Sequence, residues 1–410
     1  MARLLGPTAL GIWVILSMIP SYAEAFGRIK TDVAAVYFIG QKTFRREEIL
    51  ANLNLIAIIS ATVVLSIIIW QFDPIYEWLF QNDSGDHRSK LVLLLFQIPI
   101  NFLYLNYTYF HIAHENIFVY NRMVVINALS NSIIVIGLIT LTEFGLWSVI
   151  IGLIVAPLMS LIYGSFSIDR ENWTRVFPCK EVTIALLRYG IHFYLGGILG
   201  QLQQSGTHFI AVVYLLPAQM AFLSQGQGVG MMLNNIVKPI STILFPRVSS
   251  LDKSQAVQIS CNAFRVSCIL MLTSGFLLAI FAEHLIVLLY GSDFRSTASV
   301  IRFLMPGLVI MGVCGTLTNY FSGIGKASII PKIQIIPVML QLLLAWVLMQ
   351  SWGINGAAAA ISIGGIFYGL LTLLVFINMS GASYRMLIPC SSDFLFIKNF
   401  AIKRFDRYLN

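Results

Sequence analysis

Four ionisable side chains interrupt one apolar stretch near the start of the chain: Glu24, Arg28, Lys30 and Asp32. On a helix, Glu24, Arg28 and Asp32 recur at every fourth residue and share one face. Either carboxylate can pair with Arg28, which makes burial of all three tolerable. A charge at the centre of a membrane helix costs about 2.5–3.5 kcal/mol, so such residues mark function or sit at a helix end. A planar guanidinium grips phosphate oxygens in pairs, so the cluster reads as a phosphate site. The competing reading is an anchor at the inner interface, with charged tips snorkelling to headgroups. Apolar residues resume over Val33–Ile39, so the cluster is not simply a helix end. Lys30 falls on a different face, towards another helix or the interface.

A second polar constellation lies in the apolar stretch 184–209. His192 and His208 occur there with Gln201, Gln203, Gln204 and Thr207. Amide and hydroxyl groups suit sugar hydroxyls without adding charge. Hydrogen-bonded packing and a histidine proton relay are the alternatives. The run His111-Ile-Ala-His114-Glu115 lacks the spacing of a zinc helix. Gly226, Gly228 and Gly230 follow no strand, so they are not a phosphate loop but small-residue packing or a hinge. Gly196/Gly200 and Gly365/Gly369 have the spacing of close helix packing. Arg302 and Lys332 read as interface anchors. The five cysteines form no CxxC pair. No nucleophile–base constellation appears. The chain is therefore read as a non-enzyme with no catalytic residue, no metal and no cofactor.

The elements that must carry these residues are membrane helices. Hydrophobic residues make up 58% of the chain and charged residues 11%, a ratio no soluble protein of this length needs. Eleven apolar stretches are each long enough to cross ~30 Å of hydrocarbon. They lie at roughly 9–28, 51–70, 91–112, 118–141, 146–166, 184–209, 218–240, 264–290, 298–322, 328–350 and 354–378. The fold class is thus an all-α polytopic membrane protein. Placing Arg45 and Arg46 in the cytoplasm leaves only Arg3, Arg88, Lys90, Arg295 and Arg302 outside. The acidic residues Asp73, Glu77, Asp83, Asp86, Glu143, Glu283 and Asp293 then lie on the outer side. This is the positive-inside pattern, and it puts the C-terminus in the cytoplasm. The net charge of +8 belongs to loops facing anionic lipid, not to a nucleic-acid surface.

The chain also repeats. An offset of 210 sets Pro7 on Pro217, Gly11 on Ala221 and Arg28 on Lys238. Residues 36–49 then fall near 244–257. Each copy has a turn, a long inward span, a basic residue near its inner end and a polar connector, as in duplicated transporter bundles. The span at 184–209 has no partner ahead of residue 7. We therefore expect an N-terminal lobe over 1–180 lacking its first helix, a C-terminal lobe over 181–380 and a basic cytoplasmic tail over 381–410. The full form would have twelve spans.

The turn ARLLGP (2–7), the span after it and the connector holding Glu47 and Glu48 resemble the polysaccharide flippases of the multidrug/oligosaccharidyl-lipid/polysaccharide exporter superfamily. Residues 288–307 and 319–364 resemble that family's later helices, so the likeness spans nearly the whole chain. It implies two pseudo-symmetric bundles around a central cavity, alternating access and a place in the bacterial inner membrane. It implies as cargo an undecaprenyl-diphosphate-linked repeat unit of O-antigen, capsule or exopolysaccharide. Membrane lipids are implied partners, as is a polysaccharide polymerase or chain-length regulator. Arg28, Lys30 and Lys238 would then meet the diphosphate, with Glu24 and Asp32 as charge partners. His192, His208, Gln203 and Gln204 would meet sugar. Relatives often carry an acidic residue or Asn where this chain has Gln203, Gln204 and Ser205, which leaves ion coupling open. A multidrug or cation exporter of the same superfamily is the alternative, since it would use Glu24 and Asp32. A membrane enzyme of polysaccharide assembly is a third reading, disfavoured by the short outer loops.

Overall fold

A computed structural model describes residues 2–142, 144–168 and 177–390. Glu143 and the end of the expected tail, 391–410, lie outside the described residues. All regular structure among the described residues is helical. This is the form that apolar chains take in lipid, where each backbone N–H and C=O must find a partner inside its own segment.

The helices run in chain order as α1 (Ala2–Gly27), α2 (Thr31–Gln41), α3 (Arg46–Trp70), α4 (Phe72–Leu79), α5 (Arg88–Leu95), α6 (Gln97–Ala113), α7 (Ile117–Leu141) and α8 (Leu146–Phe166). After these come α9 (Lys180–Tyr214), α10 (Pro217–Met232), α11 (Asn234–Ser250), α12 (Lys253–Tyr290), α13 (Thr297–Gly315), α14 (Thr318–Gly323) and α15 (Ile329–Ser380). Among the described residues, nine helices are long and apolar enough to cross a membrane. The eleven expected spans differ from this number for two local reasons. α15 contains two spans, because Gly353 leaves helical geometry at φ 50°, ψ −127°. The expected span 218–240 runs through α10 and α11 with Leu233 between them, and Gln219, Gln225, Gln227, Asn234, Asn235 and Lys238 make that path less apolar than the nine, which include α5 joined to α6 and α13 joined to α14. Leu233 keeps helical angles (φ −59°, ψ −32°), so the path continues and only the hydrogen-bond ladder slips. Its N–H reaches back three residues to Gly230 O, and Leu233 O accepts from Ile236 N–H.

The duplication is written into the backbone as well as the helix order. Spans starting at Arg46, Ile117 and Leu146 are answered by α12, α15 and the segment after Gly353. Gly145, ahead of α8, has φ 50° and ψ −118°, close to the angles of Gly353. Glu115 and Gly325 stand 210 residues apart and both are left-handed, at φ 56° and 75°. In each case the next N–H closes a six-residue C-cap, Asn116 to His111 O (3.0 Å) and Lys326 to Phe321 O (2.8 Å).

The chain divides into two compact units, Met1–Ser205 with Leu215–Ala221, and Gly206–Tyr214 with Phe222–Asn410. The lobe border expected at 180/181 lies at the start of α9, whereas the border of the units lies within it. The reason is packing: residues 189–205 of α9 lie against α1 and the segment that follows it, as described below. In the first unit, Ala34, Ala35, Ile49, Leu53, Phe110 and Leu186 form one buried cluster. Ala23, Ala57, Ala61, Ile98 and Phe102 form another. These two clusters hold α1 and α2 on α3 and α6. By contrast, Leu129, Ile133, Ile136 and Leu141 of α7 are exposed, an outward apolar face suited to lipid. In the second unit Gly365 and Gly369 pack α15 closely on α13, meeting the backbone of Gly307 and the side chain of Ile310. Gly200, the other pair's second member, meets nothing.

Candidate functional site

The expected charge cluster sits at a break in a membrane helix. α1 ends at Gly27, Arg28 and Ile29 are not helical, and Lys30 turns left-handed at φ 52°, ψ 33° before α2 begins. The single helix face expected for Glu24, Arg28 and Asp32 is therefore not continuous. Arg28 still reaches both carboxylates, because it lies at the turn between them. Its Nη1 stands 3.7 Å from Glu24 Oε1 and its Nη2 stands 3.2 Å from Asp32 Oδ2. Arg28 is 7% exposed and Asp32 1%. Neither Asp32 oxygen has a hydrogen-bond partner, so the Arg28 ion pair is its support. Glu24 Oε2 accepts from Asn101 Nδ2 at 2.9 Å. Tyr109, on α6 like Asn101, lies within electrostatic reach of Glu24, Arg28 and Asp32.

The break frees backbone groups, and α9 takes them up. Tyr194 Oη donates to Phe26 O at 2.6 Å, one of the carbonyls left open where α1 stops. Tyr22 Oη donates to Ser205 O at 2.8 Å. Gly190 and Gly197, two turns apart on α9, let the break approach. A Cβ on Gly190 would collide with Ile29 O and lie 3.1 Å from Lys30 O. A Cβ on Gly197 would lie 2.8 Å from Lys30 Cε and 3.8 Å from its Nζ. Lys30 thus extends along α9, and no carboxylate pairs with it among the described residues. Tyr189 stacks on Tyr37 of α2 with ring centroids 4.5 Å apart.

The remaining expected residues fall in two groups. His192 is exposed on α9, its Nδ1 2.8 Å from Arg188 O. Gln203 and Gln204 are on the same helix, half-buried and exposed respectively, and Gln201 Nε2 donates to Ser205 Oγ at 3.3 Å. His208 and Lys238 belong to the second unit. His208 is buried with neither ring nitrogen hydrogen-bonded. Its neighbour Thr207 accepts from Gln341 Nε2 at 3.0 Å. Lys238 is exposed on α11 and has no ion pair among the described residues. Asn101, Tyr194, Gly190 and Gly197 were not legible as site residues. The spacing of Gly190 and Gly197 was the available signal, but only the break they face gives it meaning. Among the described residues no three His, Cys, Asp or Glu side chains group as metal ligands.

The polysaccharide biosynthesis protein family matches residues 1–299. The succinoglycan biosynthesis transport protein ExoT of Rhizobium meliloti is 23% identical over 63% of this chain and 50% of its own length. The probable low-salt glycan biosynthesis flippase Agl15 of Haloferax volcanii is 23% identical over 30% of this chain and 26% of its own. The chain thus spans at most about half the length of these curated relatives. Among solved structures, an inward-facing multidrug resistance MATE family transporter of the MOP superfamily superposes with a TM-score of 0.77. The match is 14% identical and covers 93% of each chain. The lipid II flippase MurJ, in an inward closed conformation, has a TM-score of 0.70, 15% identity, and coverage of 92% of this chain and 88% of its own. At these identities the superpositions speak for the fold. A polytopic helical fold with a duplicated order, together with a match over nearly three quarters of the sequence, places this chain in the polysaccharide biosynthesis protein family.

Proposed function

We propose that the protein is a flippase for a lipid-linked oligosaccharide, moving an undecaprenyl-diphosphate-linked repeat unit across the bacterial inner membrane by alternating access. The observation that carries this reading is the buried Arg28 at the helix break with Lys30 beside it, in a chain of a polysaccharide biosynthesis family. Arg28 is shared between Glu24 and Asp32, so it is oriented without being locked to one partner. An arriving diphosphate competes with those carboxylates for the guanidinium, and Lys30 supplies a cation that no carboxylate holds. Exchange of one anion for another at a buried cation avoids leaving it uncompensated. His192, Gln203 and Gln204 in the first unit are assigned to sugar hydroxyls. Lys238 and His208 are assigned the same two roles, phosphate and sugar, within the second unit. The lipid tail stays in the bilayer. A polymerase or chain-length regulator would take the cargo on the outer side, with the C-terminus in the cytoplasm.

The test is complementation of a strain that needs this protein for surface polysaccharide, with membrane levels measured alongside. Arg28→Glu and Lys30→Glu should abolish export, and Lys30→Arg should retain it. Normal export by well-expressed Arg28→Glu would leave the cluster as an interface anchor. One observation favours the exporter of cations as a second reading: Asp32 is buried with both oxygens free of hydrogen bonds. Asp32→Asn separates the two, since it should remove cation export yet leave Arg28 free to bind phosphate.

A further inference from the structure

The second unit carries a recess of about 480 Å³ at the start of α12. Two lysines line it: Lys253, the first residue of α12, and Lys326, which follows the left-handed Gly325. Both are exposed, and neither has an ion pair among the described residues. α12 is 38 residues long, and the side chain of its N-cap residue Asp252 makes no capping hydrogen bond. The first-turn N–H groups therefore remain open beside the lysines, at the positive end of the helix dipole. Tyr320 forms part of the wall. It is fully buried, and its hydroxyl has no partner. Leu251, Ile324 and Met379 complete an apolar flank.

Lysine ammonium groups and open helix N–H groups can both donate hydrogen bonds. The fitting ligand is therefore an anion with several acceptor oxygens, joined to something apolar. We propose that this recess binds the phosphate headgroup of an anionic membrane lipid. Positive-inside charge places residues 253 and 326 at the cytoplasmic end, so the lipid comes from the inner leaflet. This site is separate from the Arg28 cluster and does not rest on the transport reading.

The first unit contains the same architecture with different chemistry, which acts as an internal control. A recess of about 220 Å³ opens there at the start of α3, lined by Arg46, Phe110, His111, His114 and Asn116. Arg46 and Lys253 are the first residues of α3 and α12, and at the offset of 210 Phe110 stands for Tyr320 and Asn116 for Lys326. One cation is missing, and the volume is about half. The lipid site is therefore assigned to the second unit.

The test is native mass spectrometry of the purified full chain, titrated with phosphatidylglycerol or with phosphatidylcholine. The wild type should retain phosphatidylglycerol in preference. Lys253→Gln with Lys326→Gln should lower that preference about tenfold, and Lys253→Arg with Lys326→Arg should keep it. Tyr320→Phe, which removes a hydroxyl closed off from the recess, should leave retention unchanged. Arg46→Gln should change nothing. Size-exclusion profiles identify any variant that fails to fold, and the arginine pair keeps the charge test open. Undiminished preference in the folded glutamine pair would overturn the proposal. So would inorganic phosphate that displaces phosphatidylglycerol at equal concentration, since the recess would then be reading free phosphate and not lipid.

Discussion

In the first unit the helical path that starts at Pro7 is broken at Arg28–Lys30, whereas its repeat from Pro217 merely slips one hydrogen bond at Leu233. The two paths have similar length, ending at Gln41 and Ser250. Their interruptions differ in kind. Lys30 is left-handed, and the chain leaves the helix for three residues. Leu233 stays in helical angles. The charged residues follow that difference. Arg28 is buried between two carboxylates, while its repeat partner Lys238 is exposed on an intact stretch of α11. The comparison teaches that duplication preserved helix order and turn geometry. Among the described residues, buried Arg and Asp side chains stand where a break and a glycine-bearing neighbour receive them.

The largest expected effect tests that asymmetry. Arg28→Glu leaves three carboxylates at a buried site and should destabilise the protein by about 3–5 kcal/mol, read as a lower thermal midpoint. Lys238→Glu should leave the midpoint unchanged and lose export only. Equal loss of stability in both would show that the units carry equivalent charge sites after all. Next in size is Gly190→Ala, whose methyl group collides with Ile29 O. Overpacking at that contact should cost about 1–3 kcal/mol, while Gly200→Ala, which meets nothing, should be neutral or stabilising. Tyr194→Phe removes the hydroxyl that satisfies Phe26 O and should cost about 0.5–1.5 kcal/mol. A silent Tyr194→Phe would mean that water or lipid serves the freed carbonyl. The smallest effect concerns the matched C-caps. Glu115→Gly relieves a left-handed non-glycine and should stabilise by about 1 kcal/mol. Gly325→Ala should destabilise by a similar amount, and thermal melts of the pair would give opposite signs.

Much of the fold was legible because its signals are long and redundant. The polytopic helical class was readable from apolar length; eleven spans were expected where nine long apolar helices stand among the described residues, because α15 runs on through Gly353 and the α10–α11 path is less apolar than the rest. The repeat was legible at Pro7 and Pro217. Its better evidence, the paired angles at Gly145 and Gly353, shows in the letters only as two glycines, one before each span. Glu115 hid its left-handed turn altogether, since only glycine advertises such a conformation. For the site, the types and the pairing of Glu24, Arg28 and Asp32 could be read from spacing. The break at Lys30 could not, because no proline or glycine occupies the turn itself.

What the sequence determined by itself is therefore class, order and charge: a polytopic helical membrane chain, duplicated, with one dense ionisable cluster in its first copy. Those follow from composition and from periodicities of three to four residues, which local physics reads directly. Tertiary structure alone decided that the cluster sits at a broken helix, that Asn101 and Tyr194 serve it, and that Gly190 and Gly197 make room for it. The partners come from helices some 70 to 170 residues away in the chain. Contact between such residues is set by how helices pack, and no local pattern of side chains records it.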